Sequence, residues 1–190
     1  MALDERPMIN IHTRKEWRKW LQQHHQKENS VWVVSYTKKS KIPFVDWSEL
    51  VDEALCFGWI DSTRKTIDEN SFKQLFSKRK PNSTWSKINK EKIERLTAAG
   101  LMTDAGQEVI ERAKKNGSWN LLDEVEEMLV PKDLEHAFTK NIKAKEFYES
   151  LTKSPKKMIL HRIKMAKRQE TRQKRIDEII VMLSEKKKPI

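Results

Sequence analysis

Cysteine, glycine and long apolar runs are scarce in this sequence, and each scarcity excludes a class of protein. Cys56 is the only cysteine, which excludes an internal disulfide and is typical of a reducing compartment. Four glycines and six prolines are too few for an all-β fold with many tight turns. No apolar run approaches the roughly 18 residues of a membrane-spanning helix, and the first residues form no apolar leader. We therefore expect a soluble, cytoplasmic protein without integral membrane association.

Positive charge is abundant and unevenly placed. The formal net charge is +11, and residues 153–190 contain 13 Lys and Arg against 4 Asp and Glu, an excess of nine. A second stretch, residues 70–90, contains six Lys and Arg and no acid. Such asymmetry favours an anionic partner: a small molecule, an acidic protein surface or nucleic acid. The alternative is internal pairing, because residues 121–135 contain six acids on which the basic end can dock.

The apolar pattern predicts an α+β fold. A β-branched and aromatic run at residues 31–36 predicts a buried strand, and residues 59–67 with 71–78 predict a hairpin. Residues 47–57 have helical apolar spacing, which places Trp47 on a buried face and predicts a stop at Gly58. We expect a small antiparallel sheet of about three strands packed with helices, followed by a predominantly helical C-terminal half.

Pro81 marks the expected boundary between an N-terminal part, residues 1–81, and a helical part, residues 82–190, which packs on it as one compact unit. One of the predicted helices covers residues 121–129. On the polar face of the helix over residues 47–57, we expect Asp52 and Glu53 to be solvated and Cys56 to be an inert, partly covered thiol.

Three segments carry a resemblance to a known family: EALCFGWIDS, SKRKPNSTWSKINKEKIERL and AKRQETRQKRI. In this order they resemble the YdeI/OmpD-associated family of bacterial proteins, also labelled bacteriocin-protection proteins. The resemblance extends from about Thr13 to Leu183. It implies a role in envelope stress or in defence against antimicrobial peptides, and it supplies no reaction and no catalytic residue.

Motifs for metal, cofactor or covalent chemistry are missing from the sequence. His24 and His25 are adjacent, so on a helix they point about 100° apart, and the other histidines have no partner at ligand spacing. Three of the four glycines are needed as helix stops, so no phosphate-binding fingerprint is formed. We expect no metal, no cofactor and no catalytic residue. An enzyme with a small pocket around Trp59, Asp61 and Arg64 stays an open alternative.

The strand over residues 59–67 is the first half of a predicted ligand site. Alternation places Trp59 and Asp61 on one face and Arg64 on the other. In this arrangement Trp59 stacks on a planar ligand and Asp61 accepts hydrogen bonds from it. The alternative is an internal ion pair of Asp61 with Arg79 or Lys80, because a buried carboxylate needs a partner.

The basic loop that follows is the second half of this site. It leads into a helix start near residues 82–84, where free N–H groups and the helix dipole attract a phosphate or carboxylate. The alternative is an ordinary capped helix with Trp85 in the core. The loop residues of the predicted ligand site are Lys78, Arg79, Lys80, Ser83, Trp85, Ser86, Lys87 and Asn89.

The preferred hypothesis is a non-catalytic cytoplasmic protein that recognises an anionic ligand or partner during stress. The alternative is a nucleic-acid-binding module, in which a basic cluster binds backbone phosphates without reading bases. The residues of that cluster, within the segment 156–175, are Lys167, Arg168, Arg172, Lys174 and Arg175. The sequence leaves the oligomeric state open.

Overall fold

The computed structural model of the chain describes residues 6–188. The strands are β1 (Met8–Asn10), β2 (Ser30–Tyr36), β3 (Trp59–Thr66) and β4 (Ser71–Lys78). The first helices are α1 (Arg14–His24), α2 (Trp47–Cys56), α3 (Lys87–Ala98) and α4 (Asp104–Lys115). The helices after them are α5 (Asp123–Glu126), α6 (Lys132–Lys140), α7 (Ile142–Ser150), α8 (Lys153–Lys164) and α9 (Gln169–Ser184). The expected α+β class is confirmed.

The strands form one sheet in the order β1-β2-β4-β3. The described part of the chain therefore has a four-stranded sheet, whereas the sequence predicted about three strands. β1 is the additional strand and runs parallel to β2, with Ile9 opposite Val33. β4 lies antiparallel between β2 and β3. β1 has only three residues, too few for an alternating pattern to be recognised.

A β-bulge in β3 changes which side chains share a face of the sheet. Asp61 pairs with Phe76, but Arg64 pairs with Gln74, so three steps along β3 match two steps along β4. The additional residue reverses the alternation beyond the bulge. Arg64 therefore lies on the same face as Asp61, and the prediction from strict alternation, which put them on opposite faces, is wrong.

One face of the sheet carries an aromatic core. Val33 and Phe76 pack there with Trp17 of α1 and with Trp59, and all four side chains are fully buried. The indole Nε1 of Trp17 donates to the carbonyl oxygen of Leu50 at 2.9 Å, which satisfies the polar atom of this side chain. Because each aromatic side chain removes about 150–250 Å² from water, this cluster supplies much of the hydrophobic stabilisation.

Two adjacent carboxylates of α2, Asp52 and Glu53, are buried, with 4% and 2% of their surface exposed. The expectation that they are solvated is wrong. Glu53 accepts hydrogen bonds from Nε of Arg14 and Nη1 of Arg18, each at 2.6 Å. Arg14 and Arg18 lie one turn apart on α1, so both guanidinium groups reach the same carboxylate.

Asp52 is held in the same way by α3. Its Oδ1 accepts from Nζ of Lys92 at 2.7 Å, and its Oδ2 accepts from Nη2 of Arg95 at 2.5 Å. Burial opposes ionisation, but the hydrogen bonds from Lys92 and Arg95 outweigh it and lower the pKa of the Asp52 carboxyl. One carboxylate thus ties α2 to α1, and its neighbour ties α2 to α3.

The C-terminal end of α2 is fixed by the start of α4. Thr103 donates its N–H and its hydroxyl to the carbonyl oxygen of Cys56, at 3.1 and 2.7 Å. Gly106 permits this close packing, since a Cβ at that position would stand 2.3 Å from the same oxygen. Gly58 has φ +72° and ends the helix in the left-handed conformation, as the sequence predicts.

The chain divides into two compact units, Met1–Trp119 and Asn120–Ile190. The boundary lies after α4 rather than at Pro81, because α3 and α4 contribute to the core of the sheet-containing unit. That the chain forms one compact body stays a prediction. Within residues 6–188, no helix has both the length and the apolar character needed to cross a bilayer.

The second unit has its own apolar core. Leu134, Ile159, Ile163 and Ile179 lie in it, each with no more than 1% of its surface exposed. The helix predicted over residues 121–129 is much shorter, because α5 covers only Asp123–Glu126. Met128 ends it with a positive φ of 62°, a conformation that apolar periodicity does not reveal.

Replacing Glu53 with glutamine is expected to lower the free energy of unfolding of the first unit by about 2–3 kcal/mol. The substitution removes the buried charge that two guanidinium groups share. The measurement is urea unfolding followed by tryptophan fluorescence, which reports on this unit because all seven tryptophans lie at or before position 119.

The control for this measurement is Glu49→Gln, which makes the same charge change on the same helix. The Glu49 side chain is 46% exposed, and its contact with Arg14 is long, at 4.0 Å. We therefore expect a loss below about 0.5 kcal/mol. Equal losses in the two variants would contradict a special role for the buried carboxylate.

Candidate functional site

Trp59 lies in the core of the first unit and presents no ring to a ligand. Its side chain is fully buried, and its Nε1 donates to the carbonyl oxygen of His25 at 3.3 Å. Its ring meets Trp20 edge to face, with centroids 5.9 Å apart. Trp59 therefore has no exposed ring face for the stacking of a planar ligand that the sequence predicted.

Asp61 accepts hydrogen bonds from neutral side chains. Its Oδ2 accepts from Nε1 of Trp47 at 2.9 Å and from Nε2 of Gln74 at 3.4 Å. In the described part of the chain it forms no ion pair, so the alternative of an internal pair with Arg79 or Lys80 is not formed. No pattern in the sequence connects the Trp47 indole with this carboxylate as a donor.

Trp47 is the exposed aromatic ring at this end of the sheet. It has 51% of its surface exposed, although helical spacing placed it on the buried face of α2. As the first residue of α2, it lies beyond the turns that cover the core. Apolar periodicity identifies the face of a helix but not where along the helix the core ends.

Arg79 is a buried cation, with 6% of its surface exposed. Its guanidinium carbon lies 3.5 Å from the centre of the Trp85 ring, and its Nη1 donates to the carbonyl oxygen of Thr84 at 3.0 Å. Its Nε has no hydrogen-bond partner among residues 6–188. Burial lowers the pKa of Arg79 to about 10, and the Asp61 charge partly opposes this change.

Trp119 extends this arrangement at the end of the first unit. Its ring centroid lies 4.9 Å from that of Trp85. The ammonium groups of Lys90 and Lys114 lie 5.3 and 5.4 Å from the centre of the Trp119 ring, within cation–π range. We refer to Arg79, Trp85, Lys90, Lys114 and Trp119 as the basic aromatic cluster.

Asn116 joins the two segments that form the basic aromatic cluster. Its Nδ2 donates to the carbonyl oxygen of Pro81 at 2.8 Å, so the loop after β4 meets the turn after α4. The exposed Lys80 and Lys115 directly precede these two residues. Segments 79–90 and 112–119 contain no Asp or Glu. The structure therefore collects positive charge and tryptophan here from segments that the sequence analysis treated separately.

The N-terminus of α3 is capped by the side chain of Ser86. Oγ of Ser86 accepts a hydrogen bond from the N–H of Asn89 at 3.3 Å, which is the capped-helix alternative. The N–H of Ser83 donates to the carbonyl oxygen of Lys80 at 3.0 Å, forming a turn before the helix. These predicted ligand residues are therefore used in local structure.

Three further cations of the predicted ligand site also have partners within the chain. Lys78 donates from Nζ to the carbonyl oxygen of Gln26 at 2.8 Å. Lys87 lies 4.0 Å from Glu91 on the exposed side of α3. Arg64 stacks on Phe72, with its guanidinium carbon 3.6 Å from the ring centre.

The basic C-terminal end docks on the acidic segment 121–135, as the internal-pairing alternative predicts. Lys157 contacts Glu126 at 2.6 Å. Lys164 contacts Glu124 at 2.5 Å.

Arg172 makes the strongest contact of this kind. Its Nε and Nη2 donate to the two carboxylate oxygens of Asp133, at 2.5 and 2.9 Å. The hydrogen bonds from Arg172, opposed in part by burial, lower the pKa of the Asp133 carboxyl. Arg175 donates to the carbonyl oxygen of Arg162 at 2.6 Å. Of the five residues in the nucleic-acid alternative, the exposed Lys167, Arg168 and Lys174 are left to face a ligand.

Residues 6–188 contain no group of three or more His, Cys, Asp or Glu side chains that could hold a metal ion. Three members of the basic aromatic cluster, Lys90, Lys114 and Trp119, were not among the predicted ligand residues. Trp47, which lies outside the cluster beside Asp61, was not among them either. The available signal for Trp119 was its position just after Lys114 and Lys115 in an acid-free segment, but no spacing rule connects that segment with Arg79.

The chain matches two family models. Residues 9–109 match the family described as "Domain of unknown function (DUF8412)"; this is just over half of the chain, and the protein belongs to that family. Residues 127–186 match the family described as "Bacteriocin-protection, YdeI or OmpD-Associated". The resemblance to this second family is thus confirmed for the C-terminal part, although it was expected from about Thr13 onward. No curated protein and no solved structure matches the chain.

Replacing Arg79 with alanine is expected to destabilise the first unit by about 2 kcal/mol, because it removes a desolvated cation–π contact and the packing of the side chain. Lys80→Ala is the control, since the side chain of this exposed neighbour has no described partner, and we expect a change below about 0.5 kcal/mol. Urea unfolding followed by tryptophan fluorescence measures both. A stable Arg79→Ala variant would contradict the structural role of the stacked guanidinium.

Cys56 is expected to resist thiol reagents in the native protein. Its side chain is fully buried, and burial raises the pKa of its thiol to about 11, so the reactive thiolate is not formed near pH 8. A colorimetric disulfide reagent should detect about one thiol per chain in urea and almost none before unfolding. Rapid reaction of the folded protein would show that Cys56 is accessible.

Proposed function

We propose that the protein is a non-catalytic binding protein that recognises an anionic ligand or partner through the basic aromatic cluster. The observation that carries this proposal is a difference between the cations of the first unit: some are paired with carboxylates, and Arg79 is not. Arg14, Arg18, Lys92 and Arg95 of the first unit are matched to carboxylates. Arg79 rests on a tryptophan ring instead and forms no ion pair within residues 6–188.

Exposed cations around the cluster support the same conclusion. Lys80, Lys114 and Lys115 are exposed and have no carboxylate partner in the described part of the chain. These three lysines attract an anion by long-range electrostatics and keep their donors available on contact. Arg79 and Trp85 are buried beside these cations, and the partly buried Trp119 adds apolar contact area for a ligand.

The family description of residues 127–186 suggests the setting of this activity. From the words "Bacteriocin-protection" we infer that the binding serves protection or a stress response, and we place it in the cytoplasm. The partner is an anionic small molecule or an acidic protein surface. Nucleic-acid binding by residues 167–175 is the weaker candidate, because Arg172 and Arg175 are already bound within the chain.

The proposal is tested with a fluorescent heparin oligosaccharide as a general polyanion, using fluorescence anisotropy. A triple variant, Lys80→Gln, Lys114→Gln and Lys115→Gln, is expected to weaken binding about tenfold, because three exposed contacts of up to ~1 kcal/mol each are lost. The affinity of the unmodified protein should fall steeply between about 50 and 200 mM salt.

The control is a second triple variant with the same loss of charge, Lys15→Gln, Lys19→Gln and Lys27→Gln, which lie exposed on or just after α1. We expect it to weaken binding less than about threefold. Equal weakening would show that net charge alone attracts the polyanion. A third variant, Lys167→Gln, Arg168→Gln and Lys174→Gln, tests the C-terminal alternative, and a loss confined to it would overturn the proposal.

A further inference from the structure

We propose a second ligand site, built by Trp47, Asp61 and Arg64, that takes a nucleotide. Trp47 is half exposed, yet its indole is held in one orientation because its Nε1 donates to Oδ2 of Asp61 at 2.9 Å. An exposed ring fixed in this way presents a rigid apolar face, which is what stacking of a planar group requires.

Gln74 fixes the carboxylate from the protein side. Only 4% of its surface is exposed, and its Nε2 donates to Oδ2 of Asp61 at 3.4 Å and to the carbonyl oxygen of Ser62 at 3.2 Å. Both hydrogen bonds to Asp61 thus use the same oxygen. Within residues 6–188 the other oxygen, Oδ1, accepts none. Asp61 therefore combines a fixed orientation with a free acceptor.

The β-bulge adds a cation to this constellation. It turns Arg64 onto the face of Asp61, directly across from Gln74. One face of the guanidinium covers the Phe72 ring at 3.6 Å, and this contact leaves its in-plane N–H donors unused. Arg64 is exposed and has no carboxylate partner in the described part of the chain. Bulges that re-aim side chains are frequent next to functional sites.

Ring, acceptor and guanidinium together define the chemistry of the ligand. The Trp47 face binds a planar heterocycle, Oδ1 of Asp61 accepts from a ring N–H or amino group, and Arg64 binds an anionic substituent such as phosphate. A nucleotide has all three groups. Guanine suits the carboxylate best, because its ring N–H and its adjacent amino group can both donate to Oδ1, which has two free lone pairs. The site shares no residue with the basic aromatic cluster, so it stands independently of the proposed function.

The experiment uses guanosine monophosphate as the probe and isothermal titration calorimetry on the full chain. We expect saturable binding that Trp47→Ala weakens about tenfold to a hundredfold, as alanine substitution of a stacking ring does. Asp61→Asn should weaken it at least about tenfold and reduce the preference over adenosine monophosphate. Arg64→Gln should bring the affinity down to that of guanosine, which lacks the phosphate.

Two controls separate this site from unspecific effects. Ile67→Ala changes a comparably exposed side chain of the β3–β4 turn, 47% exposed, and should leave binding unchanged. The Lys80, Lys114 and Lys115 triple variant should also bind the probe normally, which distinguishes failure of this inference from failure of the proposed function. Circular dichroism checks that each variant is folded, and Trp47→Ala alone suffices if Asp61→Asn unfolds.

Three results would overturn the inference. The first is the absence of saturable binding of guanosine monophosphate to the unmodified protein. The second is unchanged affinity in the folded Trp47→Ala variant. The third is full competition by inorganic phosphate at the same concentration, which would reduce the site to an unselective anion contact at Arg64.

Discussion

The fold of the first unit depends on two neighbouring carboxylates buried on one helix. Asp52 and Glu53 point in different directions from α2, and each is held by two cations from a single adjacent helix. Removing one carboxylate leaves two cations without their partner, so the two contacts on each carboxylate are lost together. These ties set the position of α1 and α3 against α2, whose first residue, Trp47, belongs to the proposed nucleotide site.

The cations of this protein fall into two groups with different consequences. In the second unit Lys157, Lys164 and Arg172 form ion pairs with acids of the segment 121–135. Much of the positive charge excess is therefore paired within the chain. Around Trp85 and Trp119 the positive groups meet rings and carbonyl oxygens. The net charge of the chain is therefore a poor guide to where it can bind a partner.

The sequence was sufficient for features that depend on local chemistry. The stop at Gly58, the strand at residues 31–36 and the helical C-terminal half follow from residue type and spacing alone. It was insufficient where distant segments decide the outcome. Asp52 and Glu53 look solvated until Arg14 and Lys92 are known to face them, and Trp47 looks buried until the edge of the core is known. The meeting of Trp85 with Trp119 has no local signature at all.

The bulge in β3 shows how one backbone irregularity can govern charge distribution. Arg64 reaches the face of Asp61, while its neighbour Lys65 faces the opposite side, close to Trp32. The choice between them is made by the bulge at positions 62–63, which takes up one surplus residue, and not by the chemistry of either cation. Regular pleating of the same residues, without the bulge, would exchange the arginine for the lysine on each side. The composition and net charge of the two residues would stay the same, but each cation would lie on the other face of the sheet.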